Sequence, residues 1–179
     1  MTETTPFPER PVHPGTRIGH VHLRVADLER AIRFYRDALG FEVTQHYGTQ
    51  AAFLSAGGYH HHIGLNTWES RGGAPPPSGS TGLYHLAILS PNRRELARAL
   101  KRLLDHGVPI DGASDHGVSE AIYLRDPDGN GIELYRDRDP NAWPRDADGT
   151  LSMMLAPLDL DGLLAELAHA PDSAPASSA

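Results

Sequence analysis

The feature that most constrains the fold of this sequence is an internal repeat. In each half of the chain a short β-like run, at 19–25 and at 84–89, leads into an apolar pattern of helical period that ends at Gly40 or Gly107. Further short β-like runs follow each helical stretch, at 41–47, 50–55 and 60–66, and again at 109–110, 118–124 and 131–136. Such repetition predicts two copies of one βαβββ module, and therefore an α+β fold.

Both helical patterns carry signals at their ends. Asp27 and Ser90 have side chains suited to the N-cap, and Pro91 stands where a first-turn proline is tolerated. Gly40 and Gly107 suit the left-handed conformation that often follows a helix. Each helix is therefore expected to lie, with defined ends, between the β-like runs of its own module.

The two ends of the chain differ in composition from the repeats. Residues 1–14 are rich in Pro, Thr and Glu, and residues 170–179 are small and polar. Neither segment can bury enough apolar surface to order itself, so both are expected to be flexible tails.

A Gly- and Pro-rich linker, Glu69–Gly82, separates the two repeats. It divides a single domain, 15–140, into modules 15–68 and 82–138. Beyond the domain, 141–169 is expected to form a C-terminal extension. Its apolar positions between 158 and 167 predict an amphipathic helix with a structural or dimer-forming role, with Asp159 or Asp161 near its start.

Composition removes several classes of function. The chain has 179 residues, 23 of them acidic and 16 basic, which argues against a nucleic-acid partner. No run of eighteen apolar residues or secretory leader is found, so we expect a cytoplasmic protein without a membrane partner. The absence of cysteine excludes thiol catalysis and thiolate metal sites. Eleven histidines remain as candidates for metal binding and proton transfer.

Two of these histidines, His20 and His85, stand at equivalent places in the repeat. A single histidine on a strand is usually a satisfied polar residue, but a repeated one favours a shared site. Glu133 follows the Asp-Pro-Asp-Gly turn at 126–129 and alternates with two apolar residues, so it is either a solvated outer residue or a third site residue. Two imidazoles and one carboxylate make the facial triad of non-haem Fe(II) oxygenases, which leaves positions open for substrate and O₂.

Two motifs carry a resemblance to a known family. They are His20-x-x-Leu23-Arg24-Val25-x-Asp27-Leu28, continuing to Leu39-Gly40-Phe41, and Asp126-Pro127-Asp128-Gly129-x-x-Ile132-Glu133-Leu134. Over residues 16–138 the chain resembles the vicinal oxygen chelate superfamily, which includes glyoxalase I, bleomycin-resistance proteins and extradiol dioxygenases. Segments 59–68 and 115–124 look most like catechol 2,3-dioxygenases. The resemblance implies that the paired modules form a cup-shaped mixed sheet around a metal held by His20, His85 and Glu133.

The same resemblance implies an extradiol ring-cleaving dioxygenase with Fe(II), or with Mn(II) or another divalent metal, acting on an aromatic diol and O₂. Glyoxalase I enzymes have a fourth ligand where this chain has Gly64, which leaves three protein ligands here. By similarity, His61 is an acid–base residue towards the substrate, Tyr123 holds a substrate oxygen and His116 helps to position it. Strand alternation would instead aim His60 and His62 inward, so that assignment stays open.

Other readings also stay open. The chain could be a metal-dependent transferase or isomerase of the same superfamily, or a drug-binding resistance protein without catalysis. Many extradiol enzymes carry four modules and this chain has two, so a homodimer that completes the pocket is a further expectation. The remaining histidines are expected to be solvated, namely His13, His46, His106 and His169.

Overall fold

A computed structural model describes residues 11–168; the expected tail 170–179, His169 and residues 1–10 lie outside this range. The two repeats fold as modules with the same element order. The first contains β1 (Val21–Arg24), α1 (Leu28–Arg33), β2 (Glu42–Tyr47), β3 (Ala51–Ser55) and β4 (Ile63–Asn66). The second contains β5 (Leu86–Leu89), α2 (Arg93–Asp105), β6 (Ile110–Asp115), β7 (Ser119–Arg125) and β8 (Gly131–Asp137). The predicted α+β class and the repeated βαβββ order are confirmed.

Each module builds its own mixed sheet. The strand order is β1-β4-β3-β2 in one sheet and β5-β8-β7-β6-β9 in the other, where β9 is Ala156–Pro157. In both, the first strand of the module pairs in parallel with the last, β1 with β4 and β5 with β8, and the other pairs are antiparallel. Strands β1 and β5 are thus edge strands, and within residues 11–168 no backbone ladder joins the two sheets.

Local signals set most helix ends. The Asp27 carboxylate accepts the Arg30 backbone N–H at 3.0 Å, and α1 runs on as a π-helical turn, Phe34–Ala38, before Gly40 ends it with φ at +88°. The expected N-cap Ser90 is wrong. Helix α2 begins later, because the Asn92 side chain accepts the Glu95 N–H at 2.9 Å.

The C-terminal extension adds a short strand and a helix to the second module. Strand β9 (Ala156–Pro157) pairs with the end of β6, which extends to Asp115 through its pairing with β7 although only 109–110 is β-like in sequence. Helix α3 (Leu160–Ala165) is capped by Asp159 and buries Leu163 against α2. The extension therefore packs against the second module. Across residues 11–168 no helix has both the length and the apolar character to span a membrane.

The two modules share one apolar core and are joined by buried polar contacts. The hydroxyl of the buried Tyr35 donates to Asp126 Oδ2 at 2.9 Å, from the first module to the second. Burial, followed by the Asp126 carboxylate, raises the pKa of Tyr35, so this phenol stays protonated. Beside it, Asp128 Oδ1 accepts the Ala26 N–H at 3.0 Å and a guanidinium N–H of Arg30 at 2.6 Å.

These contacts predict that Tyr35→Phe destabilises the protein by about 1–2 kcal/mol, since a hydrogen bond to a buried carboxylate is lost. Tyr47→Phe is the matched control, because Tyr47 is 64% exposed, and we expect it to change the free energy of unfolding by less than about 0.5 kcal/mol. Urea denaturation of both variants measures the difference. Equal losses in the two variants would contradict a specific role for the Tyr35–Asp126 bond.

Candidate active site

One face of the first sheet carries a group of imidazoles. The opposite face packs against α1 through buried residues of β1, β3 and β4. On the imidazole face, the rings of His20 and His61 lie 4.4 Å apart between centroids, and His61 lies 4.9 Å from Phe53. This part of the structure therefore brings the expected metal ligand His20 and the expected acid–base residue His61 into contact.

The segment before β4 decides which histidine of 60–62 approaches His20. Strand β4 begins only at Ile63, so the alternation expected for a strand over 60–66 does not extend to these residues. His60 Nδ1 lies 2.8 Å from His61 Nδ1, and the His62 ring turns to Ser55 Oγ at 3.0 Å. Burial, and then the neighbouring His20 and His60, lower the pKa of His61, which favours its neutral form.

Gly64 makes room for another imidazole. It pairs with His22 across β1 and β4, and a Cβ at this position would lie 2.9 Å from His22 Cγ. The His22 ring occupies that space, with centroids 5.9 Å from Phe53 and 5.6 Å from Trp68. Burial, followed by the charge of His20, lowers the pKa of His22. The absence of a side chain at Gly64 therefore shapes this face of the sheet.

The second sheet carries the other group of expected site residues. His85 Nε2 lies 3.0 Å from Glu133 Oε2, and the Tyr123 hydroxyl donates to Glu133 Oε1 at 3.1 Å. Tyr123 stands directly opposite Glu133 in the pairing of β7 with β8, which explains their contact. His116, in the loop before β7, is hydrogen-bonded through Nε2 to the Tyr123 hydroxyl at 2.8 Å.

The electrostatics of this group favour a protonated tyrosine. Burial, and then the Glu133 carboxylate, raise the pKa of Tyr123 to about 12. Its hydroxyl is therefore a hydrogen-bond donor at neutral pH. His85 Nδ1 is buried without a hydrogen-bond partner, whereas its Nε2 faces the carboxylate.

A cavity of about 780 Å³ between the edge strands is lined by one member of each group, His20 and His85. It is lined by His20 and His62 from the first module and by His85, Ala87 and Tyr135 from the second. The structure thus places His85 with Glu133 and His20 with His61, and puts His20 and His85 on a common cavity. Within residues 11–168 no three His, Asp or Glu side chains are arranged as a ready metal-binding set.

Sequence reasoning missed the contribution of the C-terminal extension. The Met154 N–H donates to the His116 carbonyl at 3.1 Å, and His116 Nδ1 lies 3.2 Å from the Met154 carbonyl oxygen. The only sequence signal was the short apolar run Met153–Leu155, which has neither helical nor strand period. Of the histidines expected to be solvated, His13, His46 and His106 are exposed.

Comparison with known proteins connects this arrangement to a family. The sequence profile of the glyoxalase/bleomycin resistance protein/dioxygenase superfamily matches residues 17–134. The fold is also that of a glyoxalase/dioxygenase from Nostoc punctiforme, with a TM-score of 0.59 and 21% identity, over 74% of this chain and 100% of that structure.

Two curated relatives share more of the sequence. A catechol-2,3-dioxygenase of Bacillus subtilis is 44% identical over 156 residues, which is 87% of this chain and 53% of the relative. A biphenyl-2,3-diol 1,2-dioxygenase of Rhodococcus globerulus is 33% identical over 122 residues, which is 68% of this chain and 63% of the relative. The chain thus spans between about half and two thirds of the length of these relatives.

The packing of Gly64 generates a prediction. Gly64→Ala should displace the His22 ring and lower the free energy of unfolding by about 1–2 kcal/mol, because the added methyl group overlaps that ring. In a His22→Ala background the same substitution should have less than half this effect. Urea denaturation of the two single variants and the double variant measures the coupling. Additive effects would show that the Gly64 position does not depend on His22.

Proposed function

The chain belongs to the glyoxalase/bleomycin resistance protein/dioxygenase superfamily, and we propose that it is a metal-dependent extradiol dioxygenase that cleaves an aromatic diol next to its two hydroxyl groups. The observation that carries this proposal is the chain of contacts from His85 through Glu133 and Tyr123 to His116, beside a cavity that His20 also lines. The two ring-cleaving relatives named above support it. A cytoplasmic location and a homodimer are further parts of the proposal.

The proposed metal ligands are His20, His85 and Glu133. Their donor set fits a divalent metal, since two imidazoles and one carboxylate suit Fe(II) and Mn(II) alike. His85 Nε2 and Glu133 Oε2 already face one another at 3.0 Å, and His20 lies on the same cavity as His85. We propose Fe(II) as the native metal, with Mn(II) or another divalent ion as the alternative. The bound metal would supply two adjacent positions for the diol oxygens and ease loss of one hydroxyl proton.

The residues around these ligands would orient the diol and move its protons. The raised pKa of Tyr123 keeps its single proton in place, and in this structure the hydroxyl donates that proton to Glu133. With Glu133 bound to a metal, the same proton would be available for a hydrogen bond to a substrate oxygen. His116 holds that hydroxyl from the other side. His61, with a lowered pKa, is largely neutral at pH 7 and can accept a proton from the diol and return it later.

Removal of a proposed ligand should abolish both metal binding and turnover. His85→Ala and Glu133→Ala are expected to lose most bound Fe(II), and ring cleavage should fall roughly 1,000-fold, since a catalytic metal contributes several kcal/mol. His46→Ala is the matched control, because His46 is exposed on β2. Metal analysis after anaerobic loading, together with O₂ uptake on a panel of catechols, measures both effects. Wild-type protein that binds iron but consumes no O₂ with any catechol would contradict the proposed function, and O₂-independent turnover of another substrate would favour the transferase or isomerase reading.

A second set of variants tests the acid–base assignment. His61→Ala should lower kcat at least about 100-fold while bound metal is unchanged, because a proton acceptor is lost and no ligand is removed. His62→Ala is the matched control, since its ring turns to Ser55. Tyr123→Phe should likewise keep the metal and lower kcat/KM. A larger loss in His62→Ala than in His61→Ala would overturn the assignment of His61.

A further inference from the structure

The C-terminal extension reaches a second cavity next to the candidate active site. We propose that Leu155, together with Tyr84, forms a specificity-determining apolar wall of the substrate pocket and selects aromatic diols that carry an uncharged apolar ring substituent. This inference rests on the proposed function and adds to it the part of the chain that distinguishes one diol from another.

The cavity itself places Leu155 beside the proposed chemistry. It has a volume of about 340 Å³ and is lined by His85, His116 and Tyr123 together with Tyr84 and Leu155. Tyr84 precedes His85, and the two ring centroids lie 5.4 Å apart. A substituent on a diol held next to His85 and Tyr123 would therefore meet Tyr84 and Leu155 first.

Leu155 is held in place by its neighbours on both sides. On one side, the Met154 N–H donates to the His116 carbonyl oxygen, and His116 Nδ1 contacts the Met154 carbonyl oxygen. On the other side, Ala156 and Pro157 pair with β6. The His116 ring therefore contacts the Met154 carbonyl oxygen through Nδ1 and the Tyr123 hydroxyl through Nε2. His116 thus joins the extension to the proposed site.

The exposure of Leu155 and Tyr84 indicates that an apolar group of the substrate binds against them. Leu155 is 78% exposed and Tyr84 is 88% exposed, although both line a cavity shared with polar site residues. Burial of such side chains against an apolar group is favourable in proportion to the area removed from water. A propyl or phenyl substituent on the diol would cover both side chains.

The one arginine that lines the cavity is already paired, so it favours a charged substituent less than an unpaired guanidinium would. Arg125 Nε lies 3.0 Å from Asp111 Oδ2, and an Arg125 N–H donates to the Gly129 carbonyl at 3.2 Å. A carboxylated diol would have to compete with Asp111 for this guanidinium. The pocket is therefore electrically suited to a neutral substituent.

The test compares diols that differ only in their substituent. Catechol, propylcatechols and a dihydroxybenzoate are titrated anaerobically into the metal-loaded protein by calorimetry, and kcat/KM is measured for each diol in air. The wild-type protein should prefer propylcatechols over catechol by about tenfold in both readouts, the discrimination typical of small apolar groups in a pocket. Leu155→Ala and Tyr84→Ala should each reduce this preference to about twofold.

Met153→Ala is the matched control, since Met153 is a neighbour of similar exposure that does not line the cavity. It should keep the full preference, and Leu155→Trp should disfavour the propylcatechols by narrowing the pocket. A wild-type protein that cleaves catechol without preference, prefers the dihydroxybenzoate, or keeps its preference in both alanine variants would overturn this inference and leave the proposed function intact. Failure to bind or cleave any diol would overturn both.

Discussion

The hydrogen bonds between β5 and β8 run in parallel register, with Ala87 beside Glu133. That register fixes where the two candidate ligands of the second module meet, because His85 stands two residues before Ala87 and reaches the same face of the sheet. A parallel pair requires a long crossover between its strands. In each module the helix and the two middle strands form this crossover, so the whole βαβββ unit is needed to bring the first and last strands together. The same constraint in the first module sets Gly64 opposite His22.

Much of this architecture is readable in the sequence because it depends on local chemistry. Asp27 caps α1 with its own side chain, and Gly107 has a positive φ of +63° where α2 ends. The internal repeat predicts the order of helices and strands within each module. Ser90 and Asn92 are both suitable N-caps by residue type. Only the backbone conformation at Asn92 shows that the helix uses Asn92 and not Ser90.

The parts of the site that the sequence does not predict depend on tertiary contacts. Strand alternation places His60 and His62 together, but the strand begins after them. The direction of His62 follows instead from its contact with Ser55, and that of His61 from its contact with His20. Strand β9 is two residues long, too short to show any period. The contact between His116 and Met154 joins residues 38 positions apart, and neither residue type indicates such a contact. The contact of Tyr123 with Glu133 could be predicted only in part. Their spacing in the sequence is regular, but the contact itself requires the register of β7 with β8.

The candidate site lies between the two sheets. Within residues 11–168 the two sheets are held to one another by shared apolar packing and by the Tyr35–Asp126 and Arg30–Asp128 contacts, with no backbone ladder between β1 and β5. The cohesion of the two sheets therefore depends on side-chain contacts and not on a strand ladder. An ion or small molecule bound by His20 of one module and His85 of the other would link the two modules, and its binding free energy would add to the stability of their association.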